Sequence, residues 1–187
     1  MSAMDPGLRE ELLRMAAADQ DARTRLDCHP RRDGPMAEQE LAGAEHLRAV
    51  DAANTARMKR IIAERGWPGR SLVGDDGAQA AWLLVQHADH DPAFQRACLE
   101  LLGQAVQAGE ADVRQQAYLT DRVLLAEGDQ QLYGTQFLLA SGRWQPRPLA
   151  DPDHVDDRRR QVGLEPLADY RRRFEQLDRQ GGEDQAL

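Results

Sequence analysis

AQAAWLLVQHADHD, residues 78–91, joins an almost wholly apolar segment to a group of polar and titratable side chains. A helix this rich in apolar residues is buried on most of its sides. The polar groups at its end, among them Gln86 and His87, are then partly desolvated, which is costly unless they are hydrogen-bonded. The stretch therefore indicates either a structural polar network or a functional site at the end of a buried helix.

The composition favours a helical protein without a basic surface. The 187 residues suffice for one domain with a real core, and only 5% of them are aromatic, so Leu, Ala and Val must build that core. The net charge of −8 argues against a nucleic-acid partner, because such proteins present a basic face. The longest apolar run is too short for a bilayer, and the N-terminus lacks the apolar stretch of a signal peptide. We expect a cytoplasmic protein with no nucleic-acid or membrane partner, and leave its oligomeric state open.

Apolar residues at three- and four-residue steps predict a series of amphipathic helices. The second of them carries Asn54 between Val50 and Met58, where its apolar stripe would normally have an aliphatic side chain. Glycine and proline separate the segments, and Asp91-Pro92 and Asp151-Pro152 are typical helix starts. The predicted helices cover about 8–27, 37–65, 77–88, 92–108, 111–126, 152–161 and 165–179.

The pattern changes to a β type near residues 131–149. The segment 131–139, QLYGTQFLL, alternates in part and leads to a turn at Ser141-Gly142. The segment 143–149 would return beside it as an edge strand, since Pro146 and Pro148 lack amide protons. Alternation along the first strand predicts which of its polar side chains share a face: Gln131, Tyr133 and Thr135 on one, and Gln136 on the other.

The predicted fold is mainly α, a single-domain helical bundle with one small β-hairpin near residues 131–149. We expect an N-terminal helical extension over residues 1–35 and a helical core domain with the hairpin over residues 36–180. The last residues, 181–187, are expected to form a disordered tail.

Polar residues within segments that should be core are the candidates for a functional site. The expected chemistry is proton transfer without a cofactor, either hydrolysis, elimination or isomerisation, on a small polar or peptidyl substrate. His87 would be the general acid or base, because imidazole titrates near neutral pH. Asp121 would orient His87 or share its proton, and Tyr133 would stabilise an oxyanion or act as a second acid. The predicted substrate-binding residues are Asn54, Gln86, Arg122, Gln131, Thr135 and Gln136.

Other interpretations remain open at this point. The same residues would also suit a non-catalytic peptide- or ligand-binding accessory protein, or an interaction protein whose polar core only fixes the fold. His87, His90 and Asp91 have a helix-like metal spacing, but Asp91 should start a new helix, so no metal site is predicted. The basic runs 158–160 and 171–173 are expected to be solvated.

Five motifs resemble the signature of an uncharacterised bacterial family, a domain of unknown function. They are GWPGRSLVG, AAWLLVQHADHDPAFQ, AYLTDRVLLAEG, QLYGTQF and DPDHVDDRRRQVGLEPLADY. The resemblance covers about residues 51–172 and leaves the N-terminal 35 residues outside. It implies a shared site that includes many of the polar residues above, and it implies no particular reaction. The family positions are Asn54, Trp67, Pro68, Gly74, Gln86, His87, Asp89, Gln95, Asp121, Arg122, Gln131, Tyr133, Gly134, Thr135, Gln136 and Arg158.

Overall fold

The computed structural model describes residues 4–27, 38–140 and 143–183, and this part of the chain is mainly α with one small β-hairpin, as predicted. The helices are α1 (Pro6–Asp27), α2 (Glu38–Arg65), α3 (Arg70–Gln86), α4 (Pro92–Gln107), α5 (Val113–Ala126), α6 (Val155–Gln161) and α7 (Leu167–Glu183), and the strands are β1 (Phe137–Ala140) and β2 (Arg143–Pro146). Three predicted features lie outside the described residues: the break around residues 28–37, the turn at Ser141-Gly142 and the end of the tail at 184–187.

The chain divides into two compact units, unit 1 (Met1–Ala111) and unit 2 (Asp112–Leu187). The boundary therefore lies between Ala111 and Asp112, whereas the sequence suggested a division after residue 35. In unit 1, α1 packs against both α2 and α3. The first helix is thus an integral part of unit 1, although the sequence analysis treated it as an extension.

The core of unit 1 is built from the apolar stripes of α1, α2 and α3. Leu12, Met58 and Ile61 are almost completely buried, as their helical spacing predicts. The third helix begins earlier than expected, at Arg70, and is interrupted at Gly74, whose φ of +74° is non-helical. Residues 70–77, predicted to be a loop, therefore form a kinked first part of α3, with glycine at the position that needs a positive φ.

Side-chain caps fix the ends of the next helices. Asp91 accepts a hydrogen bond from the Phe94 amide at 3.1 Å, and Pro92 occupies the first turn, which confirms the predicted start of α4. Asp112 and Gln115 form a reciprocal capping box at the start of α5. Asp151, by contrast, has a φ of +43° and makes no capping bond, and a 3₁₀ turn at Pro152–His154 precedes α6.

The hairpin in unit 2 is shorter than predicted. β1 and β2 pair antiparallel, with Phe137 opposite Pro146. Residues 132–136 form a loop rather than a strand, and Gly134 has a φ of +65° within it. The predicted alternation of Gln131, Tyr133 and Thr135 on one strand face, with Gln136 on the other, is therefore wrong.

Rings from the hairpin and α7 form the aromatic part of unit 2. Phe137 on β1 stacks on Phe174 at 4.9 Å between ring centroids, and Tyr170 meets both rings edge-on. No helix within the described residues has the length and apolar character that crossing a membrane requires.

Candidate functional site

The predicted site residues are divided between the two units, and each unit holds one polar network. His87 lies in unit 1 with Asn54 and Gln86, whereas Asp121 and the residues of the 131–136 loop lie in unit 2. We call the first network the His87 cluster, which consists of Asp19, Arg23, Asp51 and His87. The second is the Asp121 cluster, which consists of Asp121, Gln131, Thr135, Arg158 and Arg159.

His87 is held by a carboxylate that comes from α1. The residue caps the C-terminus of α3, where its amide donates to the Leu83 carbonyl. Its Nδ1 atom lies 2.7 Å from Oδ2 of Asp19. The Asp19 side chain is 1% exposed and that of His87 is 14% exposed, so the contact is almost entirely shielded from water.

The neighbours of Nδ1 indicate where the imidazole proton lies. The Arg23 Nε atom is 3.0 Å from Nδ1 and 3.2 Å from Oδ2 of Asp19, so its one proton can go to either acceptor. A carboxylate is the stronger acceptor, and charge-assisted bonds to it are the stronger ones. Asp19 therefore receives protons from both Nδ1 of His87 and Nε of Arg23, which leaves the lone pair of a neutral His87 on Nε2.

Two carboxylates of the His87 cluster share one guanidinium. Burial by itself would raise the pKa of Asp19, but hydrogen bonds from His87 and Arg23 outweigh that effect and lower it to about 2. Arg23 also donates to Asp51 on α2 at 2.6 Å. Burial raises the pKa of Asp51, and the nearby charge of Asp19 adds to this, although Arg23 opposes it. Asp19 is thus the carboxylate that stays ionised beside the imidazole.

Three further buried polar residues of unit 1 each have one side-chain atom without a hydrogen-bond partner. They are Asn54 and Thr55 on α2 and Gln86 at the end of α3, with relative exposures of 9%, 3% and 7%. The unpaired atoms are Nδ2 of Asn54, Oγ1 of Thr55 and Oε1 of Gln86. The buried position of Asn54 on the stripe of Met58 and Ile61 agrees with its place in the sequence pattern.

Asp91, from the metal-like spacing of His87, His90 and Asp91, and the neighbouring Asp89 both have other partners. Asp89 accepts a hydrogen bond from Gln95, which also donates to the Gln86 carbonyl. Asp91 caps α4 and pairs with Lys59. Within residues 4–27, 38–140 and 143–183, His, Cys, Asp and Glu form no group of three or more that could hold a metal ion.

Asp121 organises the loop that follows α5. It is fully buried, and its Oδ1 atom accepts the amides of Leu132 and Tyr133 at 2.7 and 3.0 Å. Its Oδ2 atom accepts both the amide and the hydroxyl of Thr135, each at 2.9 Å. Four donors thus converge on one carboxylate, as in a loop held by a single buried acceptor.

Gln131 holds the other end of the loop. Its side chain donates to the carbonyls of Gln136 and Arg147 and accepts the Gln136 amide at 3.0 Å. The Gln136 side chain donates to the Thr135 hydroxyl at 3.1 Å. Of the predicted residues in this unit, Asp121, Gln131, Thr135 and Gln136 therefore contact one another. Tyr133 contributes its backbone to them, and burial followed by the Asp121 charge raises the pKa of its phenol. Arg122 is half-buried on α5.

Two arginines that were expected to be solvated complete the Asp121 cluster. Arg158 donates to the carbonyls of Leu132, Ala150 and Asp151. Arg159 is 1% exposed and donates to the carbonyls of Tyr133 and Glu165. Burial lowers the pKa of Arg159. The prediction of a solvated face is therefore wrong for both residues, whereas Arg160 is exposed, as predicted, and pairs with Asp157.

An open groove of about 520 Å³ lies elsewhere in unit 2. It contains none of the predicted site residues, and it is lined by Phe137, Pro146, Val155, Asp156, Leu167, Ala168, Arg171, Arg172 and Glu175. Arg171 is paired with Glu175 and Arg172 with Asp169, so the basic side chains at its edge are already neutralised.

Sequence analysis missed Asp19, Arg23 and Asp51. Asp19 could have been found, because it continues the α1 stripe of Leu8, Leu12 and Met15 in the same three- and four-residue steps. A carboxylate at a stripe position is an exception of the same kind as Asn54.

The fold and the two clusters define a mainly α-helical protein in which buried polar networks hold one histidine and one loop in place. The chain belongs to DUF6624, a family of unknown function, whose model matches residues 6–180. No curated protein and no solved structure matches the chain. The match begins in α1, so it includes Asp19 and Arg23. The resemblance therefore extends over residues 6–180, beyond the 51–172 that the motifs indicated.

Proposed function

We propose that the protein is a cofactor-independent acid–base enzyme in which His87 is the general base. The reaction would be a hydrolysis, elimination or isomerisation of a small polar or peptidyl substrate. The single observation that carries the proposal is the 2.7 Å contact between Nδ1 of His87 and the buried carboxylate of Asp19. This arrangement presents Nε2 as the basic atom, and a well-placed base of this kind contributes about 10²- to 10⁴-fold to a rate.

Each member of the His87 cluster has a role in this proposal. Nε2 of His87 takes a proton from water or substrate and later returns it. Asp19 keeps the proton of the neutral ring on Nδ1 and stabilises the imidazolium that forms during the reaction. Arg23 and Asp51 are positioning residues, because they hold the Asp19 carboxylate and its charge in place.

Asp19 takes the orienting role that the sequence analysis gave to Asp121. Both Asp121 oxygens accept hydrogen bonds from the 132–135 segment, and Asp121 and Tyr133 belong to unit 2. The proposal therefore depends on unit 1 alone. Catalysis by Asp121 and Tyr133 remains a hypothesis, supported by their place in the family motifs.

We also propose that the enzyme works in the bacterial cytoplasm. Support comes from the motifs shared with a bacterial family and from Cys98, a buried free thiol. A free thiol is typical of a protein in a reducing compartment, and burial, which raises the pKa of Cys98 to about 12, keeps this thiol protonated.

The tautomer of His87 tests the proposal directly. Imidazole ¹⁵N NMR of the full chain, at a pH high enough for the ring to be neutral, should show a protonated Nδ1 and an unprotonated Nε2. In Asp19→Asn this preference should weaken, because the strong acceptor at Nδ1 is lost. An Nε2-protonated ring in the wild-type protein would contradict the proposal.

Turnover of a panel of amides, esters and hydroxy acids provides the second test. His87→Gln should abolish product formation in protein that is still folded, even though the loss of the imidazole donor to Asp19 lowers its unfolding midpoint. His90→Gln is the matched control, because His90 is exposed and lies three residues away. Equal turnover in wild type and His87→Gln would show that His87 is not the base.

A non-catalytic ligand-binding protein is the second candidate function. The buried polar atoms of Asn54, Thr55 and Gln86 favour it, because they can bind a ligand whether or not a proton is transferred. Retained ligand affinity in His87→Gln, with no product from either protein, would favour this function over catalysis.

A further inference from the structure

Buried polar atoms in unit 1 lack partners within the described chain. Nδ2 of Asn54, Oγ1 of Thr55 and Oε1 of Gln86 have no hydrogen bond to a described residue, and each residue is at least nine-tenths buried. Leaving such groups unsatisfied is unfavourable, so native proteins rarely do so without a ligand, a water molecule or a functional reason.

These three residues adjoin the His87 cluster. Asn54 and Thr55 follow Asp51 on α2 by three and four residues, so they share its helix face. Asp51 contacts Arg23, which in turn contacts His87. Gln86 directly precedes His87, and α2 packs against α3. The unpaired atoms thus belong to the same region of unit 1 as the proposed base.

The unpaired atoms offer both donors and acceptors. Asn54 presents an N–H donor, Gln86 presents a carbonyl acceptor, and the Thr55 hydroxyl can do either. A carboxylate ligand would leave Gln86 without a donor, and its charge would be disfavoured by Asp51, which lies on the same face of α2 as Asn54 and Thr55. A neutral group with one carbonyl and one N–H provides an acceptor for Nδ2 of Asn54 and a donor for Oε1 of Gln86.

We propose that Asn54, Thr55 and Gln86 form a subsite for an amide group of the substrate, either a primary carboxamide or a peptide bond. The Nδ2 atom of Asn54 donates to the amide oxygen, and Oε1 of Gln86 accepts the amide N–H. This inference rests on the proposed function in one respect, since it makes this amide part of the molecule on which His87 acts.

Acetamide is the probe for the subsite. Titration of the full chain should shift the side-chain amide signals of Asn54 and Gln86 in ¹⁵N NMR spectra, whereas sodium acetate and methyl acetate should shift them far less. Gln86→Leu should weaken acetamide binding by about tenfold, the value expected for one lost hydrogen bond of about average strength in a shielded site. Gln107→Leu, at an exposed position on α4, is the matched control and should leave binding unchanged.

Stability separates a ligand subsite from a structural one. Thr55→Val keeps the side-chain shape and removes the unpaired hydroxyl, so without ligand it should raise the unfolding midpoint by a few degrees. Asn54→Leu, which is a larger change, should also raise the unfolding midpoint. A lowered midpoint in Thr55→Val would show that a structural water or a protein contact satisfies the hydroxyl, and would overturn the proposal.

The two proposals fail in different ways. If acetamide leaves the Asn54 and Gln86 signals unchanged, the amide subsite is wrong, even if His87-dependent turnover is found. If acetamide binds as expected but His87→Gln turns over every substrate as the wild type does, the subsite stands and the acid–base function is wrong.

Discussion

Nδ1 of His87 and Oδ2 of Asp19 lie 2.7 Å apart, although the two residues are separated by 68 positions in the chain. The contact ties the middle of α1 to the C-terminus of α3 and uses a carboxylate that is 1% exposed. A buried carboxylate is tolerated only when it is hydrogen-bonded and paired. The orientation of the imidazole and the stability of unit 1 therefore depend on the same contact.

Acid should weaken the contribution of Asp19 to folding. The carboxyl has a pKa of about 2 in the folded protein, below its ordinary 3.8, so the ionised form favours the folded state. Its contribution is complete above the unfolded pKa and is lost as the pH falls from about 4 toward 2, about 2 kcal/mol in all. Asp19→Asn should therefore lower the free energy of unfolding at pH 7 by about that amount. Urea unfolding of both proteins at pH 7 and below pH 3 measures this difference, which should shrink in acid.

Asp51→Asn is the matched comparison, because Asp51 binds the same guanidinium. Its pKa is raised, first by burial and then by the Asp19 charge, so the folded state favours its protonated form. Ionised Asp51 thus contributes less to stability at neutral pH than ionised Asp19 does. At pH 7, Asp51→Asn should lower the free energy of unfolding by less than Asp19→Asn does. An equal or larger decrease would contradict the assigned roles of the two carboxylates.

Asp121→Asn should loosen the 131–136 loop. The four donors that now meet the carboxylate would face an amide with one oxygen and one NH₂ group, so at least one buried donor would lose its acceptor. We expect a loss of about 2–4 kcal/mol in the free energy of unfolding. Hydrogen exchange at the amides of Leu132, Tyr133 and Thr135 should also accelerate. Unchanged protection at these amides would mean that Asp121 does not hold the loop.

Gly134→Ala should destabilise unit 2 by more than Gly128→Ala. Both glycines have a positive φ, +65° and +84°, so each substitution carries backbone strain of about 1 kcal/mol. A Cβ at Gly134 would also come within 2.8 Å of Leu167 Cδ1, whereas a Cβ at Gly128 has no atom within 4 Å. The difference in unfolding free energy between the two variants measures the close packing of the loop on α7, and equal losses would show that Leu167 moves aside freely.

The positions of the helices follow from the sequence because each is long, periodic and bounded by strong signals. The stripe of α2 and the Asp91-Pro92 start of α4 are examples that the structure confirms. Asn54 was found because one polar residue interrupted an otherwise apolar stripe. Asp19 interrupts the α1 stripe in the same way, and only the structure shows that its partner is His87.

The 131–136 segment shows why the rest could not be read from the sequence. Its residues have β propensity, yet their amides donate to the side chains of Asp121 and Gln131, and these tertiary hydrogen bonds hold the segment as a loop instead of a strand. The acceptor lies 11 to 14 positions before the amides that it binds, so no local pattern reveals it. The start of α3 was missed for a related reason, since Gly74 looks like the end of a loop but kinks a helix.

Two arginines near each other in the basic run should respond differently to truncation. Arg158 is 21% exposed in its side chain and donates to three backbone carbonyls, of Leu132, Ala150 and Asp151. Arg160 is 75% exposed and makes only a surface ion pair with Asp157 among the residues described. Arg158→Ala leaves carbonyls without their donor and should lower the free energy of unfolding by about 2–3 kcal/mol, whereas Arg160→Ala should change it by less than about 0.5 kcal/mol. Chemical unfolding of the two variants side by side measures this contrast. Because the substitutions are chemically identical and two positions apart, similar losses would mean that the Arg158 carbonyl contacts do not hold the Asp121 cluster together.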